Sequence, residues 1–346
     1  MAGRDIIVIG GSAGGVQALQ RIVAALPPQL EAAVFTVVHF PSDSTSFLPQ
    51  ILLRSGRFPA VHPEDGTMIR HGVIYVAPPD RHLTLQHGHV RLSRGPRENG
   101  HRPAVDPLFR SAARAYGARV IGVVLSGNLD DGTAGLAAVR RHGGLTVVQD
   151  PEDAMYAGMP ASAIQNVDVD HVVPAAGIAA LLAALVDEPL PPAEAVSEPR
   201  DDLEVGIAEL EAAALEGDER PGTPSGYSCP SCHGSLFEIQ EGEVVRFRCR
   251  VGHAFGSDTL LHEQAGAVEG ALWTALQSLK ERAAMARRME RRMAERGNAR
   301  SADRFRDQAD DADSRASVIR EVLRTGASMD QRFEASEEVD QRLAGD

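Results

Sequence analysis

The sequence predicts an α/β protein: a doubly wound, mainly parallel sheet with an added β-hairpin, then a small zinc-ribbon-like module and an antiparallel helical hairpin. Three observations carry this. Continuous apolar runs alternate with helical patterns through residue 186, the three cysteines cluster with a histidine in two short knuckles, and apolar residues after 260 recur every three or four positions. At 346 residues the chain is too long for one ordinary core, so two or three units are expected.

Residues 5 to 9 are a β-branched run ending in Gly10-Gly11, and Val16 to Ala25 reads as an amphipathic helix stopped by Pro27-Pro28, which makes a strand-turn-helix unit. Further buried strands are expected at Ala33 to Val38, Val73 to Val76, Val120 to Leu125, Leu145 to Gln149 and His171 to Val173, with a helix from about Thr133 to Arg141. His82 to Gln86 and His89 to Ser93 alternate polar and apolar residues around Gly88 and read as a hairpin. From 187 to 224 the chain is Pro-rich at its start and acidic throughout, which reads as a linker with one short helix at Leu203 to Leu215. The Cys module spans 225–257, the helical hairpin 258–328 with its turn at Gly297-Asn298, and a polar tail 329–346 is expected to fray.

The net charge of -13 argues against nonspecific nucleic-acid binding, which needs clustered Lys and Arg. Its distribution is uneven: residues 1 to 190 hold 15 basic and 17 acidic side chains, so the acidity belongs to the second half. No apolar run reaches the roughly 20 residues of a membrane span, and the N-terminus enters its first strand without a signal-peptide layout. The expectation is a cytoplasmic protein without direct membrane insertion.

Gly10-Gly11-Ser12-Ala13-Gly14-Gly15 places a serine between paired glycines where a strand turns into a helix. That turn exposes the serine oxygen at the carboxyl edge of the sheet and aims helix N–H groups at an anion, so it suits a nucleophile or a phosphate cradle. The dinucleotide pattern G-x-G-x-x-G is not met, and the second strand ends in His39 where that pattern would want an acid. The strand ending near Leu125 leads into Ser126-Gly127-Asn128-Leu129-Asp130-Asp131-Gly132. Ser12, His39 and one aspartate, either Asp130 or Asp131, thus converge on one sheet edge as nucleophile, general base and orienting carboxylate. Taken singly, each has a plainer reading as a turn, a surface histidine or a helix cap.

Together with Val38-His39-Phe40, Arg102-Pro103-Ala104-Val105-Asp106 and Ala157-Gly158-Met159-Pro160, these motifs resemble the catalytic domain of the bacterial chemotaxis protein-glutamate methylesterase (CheB) family over about residues 4 to 186. The resemblance implies a catalytic domain at 1–186, with Ser12 as nucleophile, His39 as base and Asp131 as third member. It also implies an oxyanion hole using N–H groups near Ala13 and the Gly127-Asn128 loop. The implied reaction is hydrolysis of γ-glutamyl methyl esters on a chemoreceptor-like protein, with glutamine deamidation as a related activity and no cofactor for catalysis. A receptor methyltransferase or a response regulator is compatible with it as a partner. Two departures stand out. The chain begins four residues before its first catalytic strand, so no receiver domain is expected ahead of it, and Ser126 and Asn128-Leu129 stand where the family usually has Thr and Met-Gly.

Cys229-Pro-Ser-Cys232 and Cys249-Arg-Val-Gly-His253 supply three thiols and an imidazole, a set that tetrahedral zinc accepts in a closed structural site. Cys229 to His233 also satisfies the C-x-x-C-H haem-attachment pattern, and a redox dithiol is a further alternative. The sequence therefore supports a serine esterase with a structural zinc module, against two alternatives: a catalytically weak signalling scaffold acting through its zinc and helical parts, or a nucleotide-binding protein using the glycine loop.

Overall fold

The computed structural model describes residues 3–40, 45–190, 199–216 and 222–343. They form two units, Met1–Leu261 and His262–Asp346.

The first unit is organised by strand β1 (Ile6–Gly11), whose six residues are all buried. Successive side chains of a strand point to opposite faces, so Ile7 and Ile9 pack with Leu19 and Ile22 of helix α1 (Gly15–Ala25) on one side. Ile6 and Val8 pack on the other side with Phe35 of β2 (Ala33–Val38). After helix α2 (Leu48–Ser55) come β3 (Ala60–Val61) and β4 (Ile74–Val76), and then the hairpin β5 (His82–Gln86) and β6 (His89–Ser93). Helix α3 (Val105–Tyr116) leads to β7 (Val120–Val124), α4 (Thr133–Arg141), β8 (Leu145–Gln149), α5 (Gly158–Asn166), β9 (His171–Val173) and α6 (Ala175–Val186). The seven-stranded sheet runs β3-β4-β2-β1-β7-β8-β9, with every pairing parallel. Because β1 sits between β2 and β7, the loops leaving all three strands share one carboxyl edge.

The acidic stretch after α6 departs from the linker expectation. It carries helix α7 (Pro199–Ala208) and the short α8 (Ala212–Glu216), and Asp201 and Glu204 are buried. Asp201 takes hydrogen bonds from His142 at 2.8 Å and Arg141 at 3.0 Å, while Glu209 accepts from Thr84 at 2.7 Å and Gln86 at 2.6 Å. Charged residues enter interiors when paired, and composition alone does not reveal the partner.

The Cys module is an antiparallel sheet of β10 (Thr223–Ser228), β11 (Ser235–Glu241), β12 (Val244–Cys249) and β13 (Ala254–Gly256), and it belongs to the same unit as the parallel sheet. Glu98 and Arg110 meet Glu204 of α7 and Arg248 of β12 in a buried ion network: Arg110 to Glu204 2.9 Å, Arg248 to Glu98 2.9 Å, Arg246 to Glu204 2.9 Å.

Helix α9 (Ser257–Glu295) starts in the first unit and runs into the second, where α10 (Ala299–Leu343) returns after Gly297, which has φ 71°. Pairs Arg306 to Glu290 and Arg287 to Asp310 show the two helices antiparallel. Leu276, Ala283 and Ala286 are buried opposite Ala302, Ala309, Ala312 and Ala316, whereas Leu261 and Val268 of the expected stripe are exposed. The backbone of α10 stays helical to Leu343, beyond the expected fray point at 329.

Candidate active site

Ser12 follows β1 directly, and its N–H donates to the Ser126 carbonyl at 2.9 Å, tying the serine turn to the loop after β7. Gly14 has φ 74°, and a Cβ there would lie 2.5 Å from Ser126 Oγ, so glycine is required for both conformation and space. His39 follows β2, whose last residue Val38 is in register with Gly11. Asp131 closes the loop after β7, the opposite neighbour of β1.

The three side chains meet. His39 Nδ1 lies 3.2 Å from Ser12 Oγ, and His39 Nε2 lies 2.7 Å from Asp131 Oδ2. An ionised carboxylate only accepts, so Nε2 carries the proton and Nδ1 is left to accept from the serine hydroxyl. Asp131 also accepts from the Val105 N–H at 2.7 Å, the Asp106 N–H at 3.2 Å and Asn99 Nδ2 at 2.8 Å. Burial pushes its carboxyl upward, but the His39 hydrogen bond and charge, followed by the Val105 and Asn99 donors, outweigh this and hold it below the ordinary carboxylate range. Its buried neighbour Asp106 goes the other way, up to about 8, through burial and then the Asp131 charge.

Among the oxyanion candidates, Gly127 differs from expectation. Its N–H donates to the Tyr156 carbonyl at 3.0 Å and is therefore not free to meet a developing oxyanion. Ala13, just ahead of α1, and Asn128, in the loop after β7, have N–H groups with no acceptor among the described residues. A Cβ on Gly127 would meet Met159 Sδ at 2.1 Å and Ser12 Cβ at 2.8 Å, so this glycine serves close packing against the serine. Such an arrangement, with nucleophile, base, orienting acid and unpaired N–H groups at one edge, suits acyl transfer.

Two further residues stand in the site without having been singled out in the sequence. The His101 ring stacks on His39 with centroids 3.7 Å apart, and burial, then the His39 charge, lowers its pKa to about 4, so it is neutral at neutral pH. Asn99 bridges Asp131 and Asp106. Both adjoin the Arg102-Pro103 motif, which was the available signal. Asp130 is not in the triad line: it accepts from the Asp258 N–H at 3.0 Å and from the Thr259 hydroxyl, capping α9.

The second cluster lies in the antiparallel sheet. Ligand atoms of Cys229, Cys232, Cys249 and His253 all fall within 4.8 Å of one another. The edges are 3.7 Å for Cys232 Sγ to Cys249 Sγ, 3.6 Å for Cys249 Sγ to His253 Nδ1 and 3.8 Å for Cys229 Sγ to His253 Nδ1. A tetrahedron with Zn–S of about 2.3 Å and Zn–N of about 2.0 Å has edges of about 3.5–3.8 Å. His233, the haem-pattern histidine, is not part of this cluster.

The model of the family described as CheB methylesterase matches residues 7–182, ending before α7. A putative protein-glutamate methylesterase/protein-glutamine glutaminase of Leptospira interrogans is 38% identical over 182 residues, which are 52% of this chain and 94% of that protein. A protein-glutamate methylesterase/protein-glutamine glutaminase of Pyrococcus abyssi is 35% identical over 175 residues, 49% of this chain and 48% of that protein, so the match spans about half its length. The crystal structure of the Thermotoga maritima CheB methylesterase catalytic domain aligns over all of that chain and 54% of this one, with TM-score 0.51 and 36% identity. With its parallel sheet, the serine turn and half its length matched, the chain belongs to the CheB methylesterase family.

Proposed function

We propose that this protein is a cytoplasmic protein-glutamate methylesterase that hydrolyses γ-glutamyl methyl esters on a chemoreceptor-like protein through Ser12, His39 and Asp131, with glutamine deamidation as a related activity. The observation that carries the reading is the continuous line from Ser12 Oγ through His39 to Asp131, at 3.2 and 2.7 Å. Ser12 Oγ attacks the ester carbonyl while His39 Nδ1 takes its proton. Asp131 holds Nε2–H and stabilises the imidazolium. The N–H groups of Ala13 and Asn128 face the developing oxyanion, aided by the positive end of α1. His39 returns its proton to the leaving methoxide, methanol departs, and water activated by the same imidazole releases the glutamate and Ser12. No described helix is long and apolar enough to cross a membrane, and the chemistry needs no cofactor.

For Cys229, Cys232, Cys249 and His253 we propose a structural Zn²⁺, supported by the tetrahedral edge lengths and by the small core around them, in which Leu236, Phe247, Phe255 and Leu260 are the main apolar residues. With four protein ligands the ion would supply fold and no open coordination position.

A serine-reactive fluorophosphonate probe is expected to label the protein at Ser12, and Ser12→Ala is expected to abolish labelling; unchanged labelling of the variant overturns the nucleophile. Metal analysis is expected to find about one zinc per chain, lost in Cys249→Ser; freshly purified wild type without zinc overturns the module's assignment.

A further inference from the structure

The edge strand of the Cys module continues onto the catalytic domain. The Asn99 N–H donates to the Ala254 carbonyl at 2.7 Å, and the Ala254 N–H donates to the Arg97 carbonyl at 3.3 Å. Glu98 and Ala254 form a parallel bridge. One step further along, the Gly256 N–H donates at 2.8 Å not to a backbone carbonyl but to Asn99 Oδ1. That contact decides which way the Asn99 amide faces. With Oδ1 engaged by Gly256, the Nδ2 group points the other way, where it gives one hydrogen to Asp131 Oδ1 at 2.8 Å and the other to Asp106 Oδ2 at 2.9 Å. The flipped amide would present its oxygen to the Asp131 carboxylate and leave the Gly256 N–H opposite an NH₂, so it is excluded by both ends at once. Asn99 is 4% exposed.

We infer that Asn99 is a positioning residue for the hydrolytic reaction, oriented by the Gly256 N–H of the Cys module, so that this module is a working part of the active site as well as an appendage; the inference rests on the esterase reading above. Asn99 engages Asp131 Oδ1 and leaves Oδ2 to His39 and the Val105 N–H. It also bridges Asp131 to the buried Asp106 carboxyl. Without it, Asp131 turns from His39, and the imidazole loses its orienting partner while the substrate surface is untouched. The tie is reinforced one residue away, where Asp130 accepts from the Asp258 N–H and the Thr259 hydroxyl at the module's exit helix.

The test uses the full-length protein with its metal, methanol release from methylated chemoreceptor as the assay, and fluorophosphonate labelling of Ser12 to count competent sites. Asn99→Asp keeps the shape but replaces the donor by an acceptor. It is expected to lower kcat by roughly 100-fold with KM within about twofold, as a misplaced catalytic group does. It is also expected to move the acid limb of kcat/KM, because the stability of the imidazolium depends on how the Asp131 carboxylate is hydrogen-bonded, and Asn99→Ser alters that bonding as well. A purely structural residue would reduce the number of competent sites without moving that limb.

On the module side, Gly256→Ala and Gly256→Pro both add a Cβ that must displace the Asp130 carboxylate, 2.1 Å away at its nearest oxygen, but proline alone removes the N–H. The proline variant is expected to have about 5- to 10-fold lower kcat than the alanine variant, the equivalent of one lost hydrogen bond. If a Gly256 variant does not fold, Asn99→Asp decides, with Asn99→Ser, which keeps an oxygen but loses the NH₂, as its backup. Wild-type kcat and an unmoved acid limb in Asn99→Asp or Asn99→Ser, with Ser12 labelling intact in the wild type, would overturn the inference alone. Loss of Ser12-dependent labelling in the wild type would instead overturn the esterase reading.

Discussion

The parallel sheet and the joint where loop 97–101, α7 and β12 meet are equally buried, yet they are built from opposite materials. Around β1 the interior is Ile, Val, Leu and Phe, with Phe35, Ile7 and Val8 at 0% exposure. At the joint the charged groups with 1% exposure or less include Arg110, Arg248, Glu98, Glu204 and Asp201, with Arg246 beside them at 3%. The sheet is held by transfer of apolar area and by close packing, which tolerate small changes. The joint is held by charges whose desolvation is offset only while every partner is present. One region therefore yields gradually, and the other as a set.

The comparison can be sharpened by measurement, beginning with the largest effect. Stripping the proposed zinc with a strong chelator removes a contribution on the order of 10 kcal/mol from the Cys module. Hydrogen exchange is expected to show β11 and β12 losing protection while β1 and β7 retain it; equal loss in both sheets would erase the distinction. Next, Glu204→Gln leaves Arg110, Arg246 and Arg248 without their shared carboxylate and is expected to cost about 3–5 kcal/mol in urea unfolding, against about 0.5–1.5 kcal/mol for Ile9→Val in the sheet. Similar costs for the two would break the comparison.

The smallest effect is on pH dependence. Burial pushes Glu98 and Glu204 up, but the surrounding guanidiniums, Arg110 first, outweigh it and hold both below the ordinary range. The stability they contribute is present above the unfolded carboxylate pKa of roughly 4.3 and is lost as the pH falls through their folded values. Asp130 and Asp106 are raised to about 6 and about 8, mainly by burial, so their contribution is present at low pH and is lost as the pH rises through those values. Stability is expected to decline from pH 6 to 8, and Asp106→Asn to flatten that decline; an unchanged slope in the variant would remove Asp106 from the account.

The same contrast explains what the sequence disclosed. The parallel strands were legible because continuous β-branched runs have few alternatives, and the matches at Ala33–Val38 and Leu145–Gln149 fall on the expected residues, as does the alternating hairpin strand His82–Gln86. Ser12, His39 and one of Asp130 and Asp131 were legible because strand ends at one sheet edge converge by topology, the family resemblance singled out Asp131, and the structure brings Ser12, His39 and Asp131 within hydrogen-bonding distance. Helix α7 was not, because Asp201 and Glu204 look solvated until Arg141, His142, Arg110, Arg246 and Arg248 are seen around them. The resemblance points to the Gly127-Asn128 loop for the oxyanion hole without saying which N–H is free, because a backbone N–H carries no signal of its partner, here the Tyr156 carbonyl for Gly127. Asn99 and His101 were missed for a related reason: their importance lies in contacts with Gly256 and His39, distant in sequence.

The central claim is that Ser12 is the nucleophile of a methyl-ester hydrolase. Its most direct test is methanol release from methylated chemoreceptor by purified wild type and by Ser12→Ala, with folding of both verified by circular dichroism. The account predicts turnover by the wild type and a loss of about 10³-fold or more in the variant; turnover by a folded Ser12→Ala protein at the wild-type rate would contradict it.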